Sequence, residues 1–374
     1  MEQPLPPIQP TPITPPNTPD SIYHIDLSEP ALPEPTHPLE LTEGADIIHG
    51  AGPGPSAISS IGTLSLALIF TASTVFTVSY LQTNADTASK KDVGNQVAAA
   101  AVPVQIAPAA FASTTLQASA AYVLDVTDNH ILYSLNPDAQ LPLASITKVP
   151  MALVVSEVLT PEMRLVIPRD TGYPASPDRL ITGDTWRIGD VIDLTLAASS
   201  NDGAEILAEA ANESLRAKYP LAPIGGATSA TLWRMNDLAK QLGLSKTYFL
   251  NVSGLDESTT QSGAYGSARD VATLFAYAAS TSPRLFAGTT QSSFSLMSLN
   301  GATATAINTD KALNAIPGII MGKTGYTDLA GGNLAIVFEP VPGHRVIAVV
   351  LGSTETGRFE DMKKLVAATQ DTIK

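Results

Sequence analysis

Three short patterns in this 374-residue chain combine residue types and an order that suit acyl transfer from a serine. They are Ser145-Ile-Thr-Lys148, then Ser199-Ser-Asn201, then Lys323-Thr-Gly325. A serine hydroxyl attacks an acyl group at neutral pH only when a base takes its proton. None of the five histidines stands in a setting that suggests this role, so a lysine one helical turn from a serine is the informative pair. At i and i+3 on a helix, the two side chains share a face, with Cβ atoms about 5–6 Å apart. A lysine with a free pKa near ~10.4 acts as a base only when desolvated or placed beside other cations. Lys323 is expected to be that second cation. A helix N-terminus at Ser145 would favour negative charge developing on Oγ and on the attacked carbonyl oxygen.

Ser-x-Asn occurs three times, as Ser134-Leu-Asn136, Ser199-Ser-Asn201 and Ser298-Leu-Asn300. Only the second lies in a break between helical patterns, where side chains can reach into a cleft. There Ser199 would relay a proton to a leaving amine and Asn201 would hold an amide of the substrate. The bland reading has Asn201 and Asp202 cap the following helix. In the third pattern the Lys323 ammonium and Thr324 hydroxyl suit a free carboxylate, and Gly325 allows close approach of backbone to a ligand.

The elements that must position these groups follow from periodicity. Ala120–Asp125 and Ile131–Leu135 are short β-rich runs around a polar turn, which predicts a hairpin. A helix pattern opens at Ser145 with Ile146, Val149, Leu153 and Val154. Helical spacing returns over Ile188–Ala211, interrupted near Ser199–Gly203, then over Leu232–Leu244 with its end at Gly243, and over Asp270–Ala279. Ile319–Met321, Asn333–Phe338 and Arg345–Leu351 read as strands, and Glu360–Ile373 as a last helix. Strands at both ends with helices between predict one sheet that joins the two ends and packs on helices.

Upstream the composition changes. Met1–Pro55 holds 14 of the 29 prolines, eight acidic residues and no Lys or Arg. This predicts a disordered, partly polyproline tail over residues 1–56, a solvated spacer or a ligand for a proline-binding protein partner. Residues 57–81 include the uncharged run Ile58–Leu81, roughly 36 Å as a helix, enough to span a bilayer core of about 30 Å. Its late start, its length and the missing basic flank disfavour a cleavable signal peptide, with cleavage near Ala85 to Ala88 as the alternative. Residues 82–114 read as a tether and 115–374 as one globular domain. Lys90 and Lys91 would by the positive-inside rule lie in the cytoplasm, whereas the chemistry places the domain on the outer side; the chemistry decides the expected orientation. The domain's 25 acidic against 19 basic residues make nucleic acid an improbable partner. Without cysteine there are no disulfides, and no zinc-type cluster or cofactor motif is evident.

Together the three motifs resemble those of the penicillin-recognising serine enzymes. More closely, the chain is similar to the D-alanyl-D-alanine carboxypeptidases of peptidase family S11, the low-molecular-mass penicillin-binding proteins. The resemblance runs from about Ala120 to Thr369. It includes Met235–Leu244, Thr247–Asp256, Ser267-Ala-Arg-Asp270, Lys323-Thr-Gly-Tyr-Thr-Asp328 and Val349-Val-Leu-Gly352. It implies an α+β fold: a five-stranded antiparallel sheet packed with helices, plus a mainly helical subdomain.

The resemblance further implies Ser145 as the acylated nucleophile, Lys148 as base, and Ser199 and Asn201 as the second motif. Lys323 and Thr324 would bind the terminal carboxylate, and the N–H groups of Ser145 and Tyr326 would form the oxyanion hole. The substrate would be a peptidoglycan stem peptide ending in D-Ala-D-Ala, with β-lactams as inhibitors. The location would be a bacterial cell membrane, with a single-pass anchor and an extracytoplasmic domain. With about fifty residues after Lys323, the extra β-domain and C-terminal amphipathic anchor of many relatives are expected to be lacking. Pro150 departs from the family pattern and is more familiar in class A β-lactamases. The deacylating Glu-x-x-Leu-Asn segment of those enzymes does not occur here, which ranks that reading lower. A catalytically silent wall-binding or sensor protein is the non-enzymatic alternative, against which the intact Ser145, Lys148 and Lys323 argue.

Overall fold

A computed structural model describes residues 108–168 and 180–374. The expected tail (1–56), membrane span (57–81) and most of the linker lie outside the described residues. Among the described residues, no helix is long and apolar enough to cross a membrane.

In chain order, strands β1 (Ala120–Asp125), β2 (His130–Leu135) and β3 (Leu141–Pro142) precede helix α1 (Lys148–Ser156). Strands β4 (Arg164–Val166) and β5 (Thr185–Arg187) form a ribbon before helices α2 (Ile188–Ala197), α3 (Asn201–Lys218) and α4 (Ser229–Gln241). Strands β6 (Tyr248–Phe249) and β7 (Ala264–Gly266) lead to α5 (Ala268–Thr281). A second ribbon, β8 (Ser293–Met297) with β9 (Thr303–Ile307), precedes β10 (Ile319–Thr327), β11 (Gly331–Val341), β12 (His344–Ser353) and α6 (Gly357–Thr372).

The main sheet has the order β10-β11-β12-β1-β2, with every neighbouring pair antiparallel. Both of its faces are buried, which is why β11 and β12 are nearly continuous in apolar residues. Successive side chains on a strand point to opposite faces. On β12, Val346, Ala348 and Val350 accordingly enter one core with Phe359, Met362 and Leu365 of α6. Ile347, Val349 and Leu351 enter the other, with residues of α1 to α5. Phe111 lies in the first core and stacks on Tyr133, so the packed unit reaches back a few residues before Thr115.

Buried polar groups fix how these layers meet. The Asp361 carboxylate, fully buried on α6, accepts from the Gln117 and Ala118 amides and from Ser353 Oγ at 2.7–3.1 Å. Asn333 on β11 donates to Pro142 O and accepts from Gly352 N, which anchors the segment that leads into Ser145. Nearly every residue of α1 is buried. A helix apolar on all sides is a central one, and this one carries Lys148 into the core.

Candidate active site

Ser145 does not open an α-helix, as its pattern predicts. Ala144–Thr147 forms a 3₁₀ turn, and the α-helix starts at Lys148. In a 3₁₀ turn, side chains at i and i+3 eclipse, which stacks Lys148 over Ser145 more closely than an α-helix would. This start also places Pro150 in the first turn of α1, where proline is tolerated.

The turn is clamped from two sides by glycine. A Cβ on Gly254, whose φ is +83°, would lie 2.0 Å from Ala144 O. A Cβ on Gly325 would lie 2.8 Å from Leu143 O and 3.2 Å from Ser145 N. Ala144 itself has φ +48° without being glycine, a conformation that costs about 1–2 kcal/mol and is held by its surroundings.

Lys148 is fully buried, and its Nζ makes three hydrogen bonds: to Ser145 Oγ (2.8 Å), Asn201 Oδ1 (2.7 Å) and Ser253 O (2.8 Å). Two of these partners, an amide oxygen and a carbonyl, can only accept. When the amine is neutral, its two N–H bonds are therefore kept by Asn201 and Ser253, and its lone pair faces Ser145 Oγ. Burial pulls the Lys148 pKa down to about 7, with the Glu205 charge acting in the opposite direction. The amine is thus about half neutral near pH 7.

Asn201 is free for this role because it is not the helix cap. Ser200 caps α3, its Oγ accepting from Gly203 N at 3.1 Å, instead of Asn201 or Asp202. Ser199 sits in the break after α2 with φ +62°. Its Oγ accepts from Lys323 Nζ at 2.8 Å.

Lys323 and Thr324 lie on β10, the edge strand of the main sheet, and both are buried. Lys323 also donates to Thr324 O at 2.9 Å. Two of its three N–H bonds are thereby committed and one remains for a ligand. Burial, then the charges of Lys148 and Arg358, hold the Lys323 pKa well below its ordinary value, with Asp310 opposing them. Burial is the first cause of the lowering on both lysines. The repulsion between the two cations acts in the same direction and belongs to the pair.

Tyr326, at the same end of β10, is 46% exposed. Behind it, Arg358 of α6 donates from Nη1 to Gly325 O at 2.6 Å and lies 5.6 Å from the Tyr326 ring centroid. Ser145 N lies in the first turn of its 3₁₀ segment, where N–H groups lack intrahelical acceptors. The structure thus brings Ser145, Lys148 and Asn201 into one bonded cluster and Ser199, Lys323 and Thr324 into a second. Gly325 packs on the turn that carries Ser145.

Sequence reading missed Ser253 O, Arg358 and Thr309, which lies 2.5 Å from Thr324 across their hydroxyls. Ser253 had an indirect signal, since it lies in the Thr247–Asp256 block. The polar residues of these blocks build the loop that carries it. Asn236 clasps both backbone groups of Phe249, Asp270 accepts from Lys246 N and Thr247 Oγ1, and Asn251 accepts from Gly254 N. The other two Ser-x-Asn matches serve turns: Asn136 donates to Ser119 O and Asn300 accepts from Thr185 N. Among the described residues, one group of metal-ligating type, Asp125, Asp128 and His344, gathers at the hairpin turns. There Asp125 pairs with His344 and accepts two backbone N–H groups.

An antiparallel sheet whose edge strand faces a serine, with a buried lysine bonded to that serine, is an arrangement suited to acyl transfer with lysine in place of histidine. The chain belongs to the D-alanyl-D-alanine carboxypeptidase family, peptidase family S11, whose model matches residues 106–355. It is 29% identical over 256 residues to D-alanyl-D-alanine carboxypeptidase DacA of Haemophilus influenzae, covering 66% of this chain and 60% of that one. To DacB2 of Mycobacterium tuberculosis it is 29% identical over 238 residues, covering 63% and 75%. Among solved structures, penicillin-binding protein D2 of Listeria monocytogenes in its ampicillin-bound form matches with a TM-score of 0.55 and 30% identity. That match covers 68% of this chain and 97% of the other. The chain spans about 60% of the length of several of the curated relatives it matches.

Proposed function

We propose that this chain is a serine D-Ala-D-Ala carboxypeptidase that trims peptidoglycan stem peptides through an acyl-enzyme at Ser145. The observation that carries the reading is the buried Lys148 amine, 2.8 Å from Ser145 Oγ with a pKa brought to about 7. Neutral Lys148 takes the Oγ proton as Oγ bonds to the carbonyl carbon of the penultimate D-Ala. The N–H groups of Ser145 and Tyr326 receive the oxyanion. The Asn201 amide nitrogen, left over by the bond to Lys148, meets the peptide, and the terminal carboxylate is held by Lys323 and Thr324. The proton that Lys148 took passes by way of Ser199 to the leaving nitrogen, so Lys148 is neutral again and Lys323, which donates to Ser199, keeps its charge. The C–N bond breaks, D-Ala departs, and water, deprotonated by Lys148, cleaves the Ser145 ester. A β-lactam would acylate Ser145 in the same way and leave slowly.

Incubation with a fluorescent penicillin is expected to label Ser145, and a D-Ala-D-Ala peptide is expected to release free D-Ala. A folded protein that does neither is not this enzyme. The family membership and the uncharged run Ile58–Leu81 support a single-pass anchor with the catalytic domain outside a bacterial membrane. The proline-rich tail would then face a cytoplasmic partner. Protease added outside intact cells is expected to reach the catalytic domain, and a protected domain would reverse the orientation.

A further inference from the structure

The carboxylate site has a second hydroxyl that none of the three motifs contains. Thr309 Oγ1 lies 2.5 Å from Thr324 Oγ1. Its only other acceptor among the described residues is Ala197 O, at a marginal 3.5 Å. The segment that carries Thr309 is tightly held. The Thr309 amide donates to Ala197 O, at the end of the helix that leads to Ser199. The Asn308 side chain donates to Thr289 O and Gln291 O and accepts from Asp310 N. Asp310 in turn accepts from Ala312 N, and Thr289 Oγ1 receives Gly322 N of β10. Thr309 is therefore fixed against both α2 and β10.

A hydroxyl carries one proton and two lone pairs. In the empty site either threonine can donate to the other. A carboxylate has no proton to give, so a ligand on Thr324 must receive the Thr324 proton. The Thr309 proton must then turn to Thr324 Oγ1, which gives an ordered chain from Thr309 to Thr324 to carboxylate, each bond strengthening the next. Without Thr309, the Thr324 hydroxyl would lose the partner that sets its rotation.

We propose that Thr309 is a positioning residue that aims the Thr324 proton at the substrate's terminal carboxylate, so that selectivity for a free C-terminus rests on this hydroxyl pair as well as on Lys323. The inference rests on the carboxypeptidase reading above. Two reactions separate its effects: D-Ala release from a peptide ending in D-Ala-D-Ala, and acylation of Ser145 by an aryl acetate that has no carboxylate. In Thr309→Val, KM for the peptide is expected to rise about five- to tenfold with kcat within about twofold, while the aryl acetate reacts as with wild type. Thr309→Ser, which keeps the hydroxyl, is expected to return the peptide KM to within about twofold of wild type. Equal losses toward both reagents, no loss toward either, or a Thr309→Ser variant that behaves like Thr309→Val would each overturn the proposal. Should Thr309→Val fail to fold, Thr309→Ala takes its place in the same comparison. A wild-type protein that neither releases D-Ala nor takes penicillin removes the parent reading instead.

Discussion

Replacing Lys148 with methionine is expected to slow acylation of Ser145 by about 10³-fold or more while the protein stays folded. Methionine has nearly the length of the lysine stem and no lone pair that can take the Oγ proton. Its effect on stability is set by two opposed terms. Removing the amine leaves Asn201 Oδ1 and Ser253 O without a donor, at about 1–3 kcal/mol for each group that stays dry. It also removes the penalty for desolvating a cation, which is several kcal/mol. These terms nearly offset each other, so the melting temperature should move little against the change in rate. Mass spectrometry of the penicillin adduct, followed over time in both proteins, is the measurement. Acylation of the variant at the wild-type rate would mean that some other group is the base.

The second large effect is on pH dependence. Acylation needs Lys148 neutral, and its pKa is about 7. Below that value the rate constant at limiting substrate should fall about tenfold per pH unit, to roughly one per cent at pH 5. The carboxylate site needs Lys323 charged, and that pKa is lowered well below its ordinary value. Activity should therefore decline again on the alkaline side of the profile, at a lower pH than an ordinary lysine would set, and the two limbs belong to the coupled pair. Lys323→Arg keeps a cation that does not titrate in this range, and is expected to push the alkaline limb upward while leaving the acidic limb in place. A profile that is flat from pH 5 to pH 8 would rule out Lys148 as the base. Stability should follow the same proton. The unfolded chain binds it up to about pH 10.4, whereas the folded chain binds it only below about 7. Folding therefore becomes more favourable as pH rises through that window, and the contribution is lost as pH falls toward 7.

Much of the framework was legible because it repeats. The continuous apolar runs of β11 and β12 and the helical spacing of α2 through α6 follow from burial. The break at Ser199-Ser200 marks itself by polarity between two apolar stretches. The site residues were legible as types, since a serine, two lysines and a threonine carry their chemistry in their side chains. What stayed hidden is what depends on backbone or on distant contact. Nothing in Ala144–Thr147 distinguishes a 3₁₀ turn from an α turn, yet that difference sets the reach of Lys148. Ser253 acts through its carbonyl, a group every residue has. Thr309 reaches Thr324 only because α2, the ribbon β8–β9 and β10 fold against one another, and no local pattern records that. The strands β3, β6 and β7 are two or three residues long, too short for any period to show.

The glycine contacts on either side of Ala144 have a consequence for how this site endures change. The nucleophile is located by main chain pressed on main chain, with Gly254 and Gly325 as the two faces of a vice. Such a mounting does not depend on the rotamers or volumes of the side chains around it. Most of the surrounding core can be exchanged while the serine keeps its place, provided that two positions stay without a Cβ. With 29% identity to two of its relatives, the chain is expected to accept exchange in the core around Ser145 far more readily than a side chain at Gly254 or Gly325.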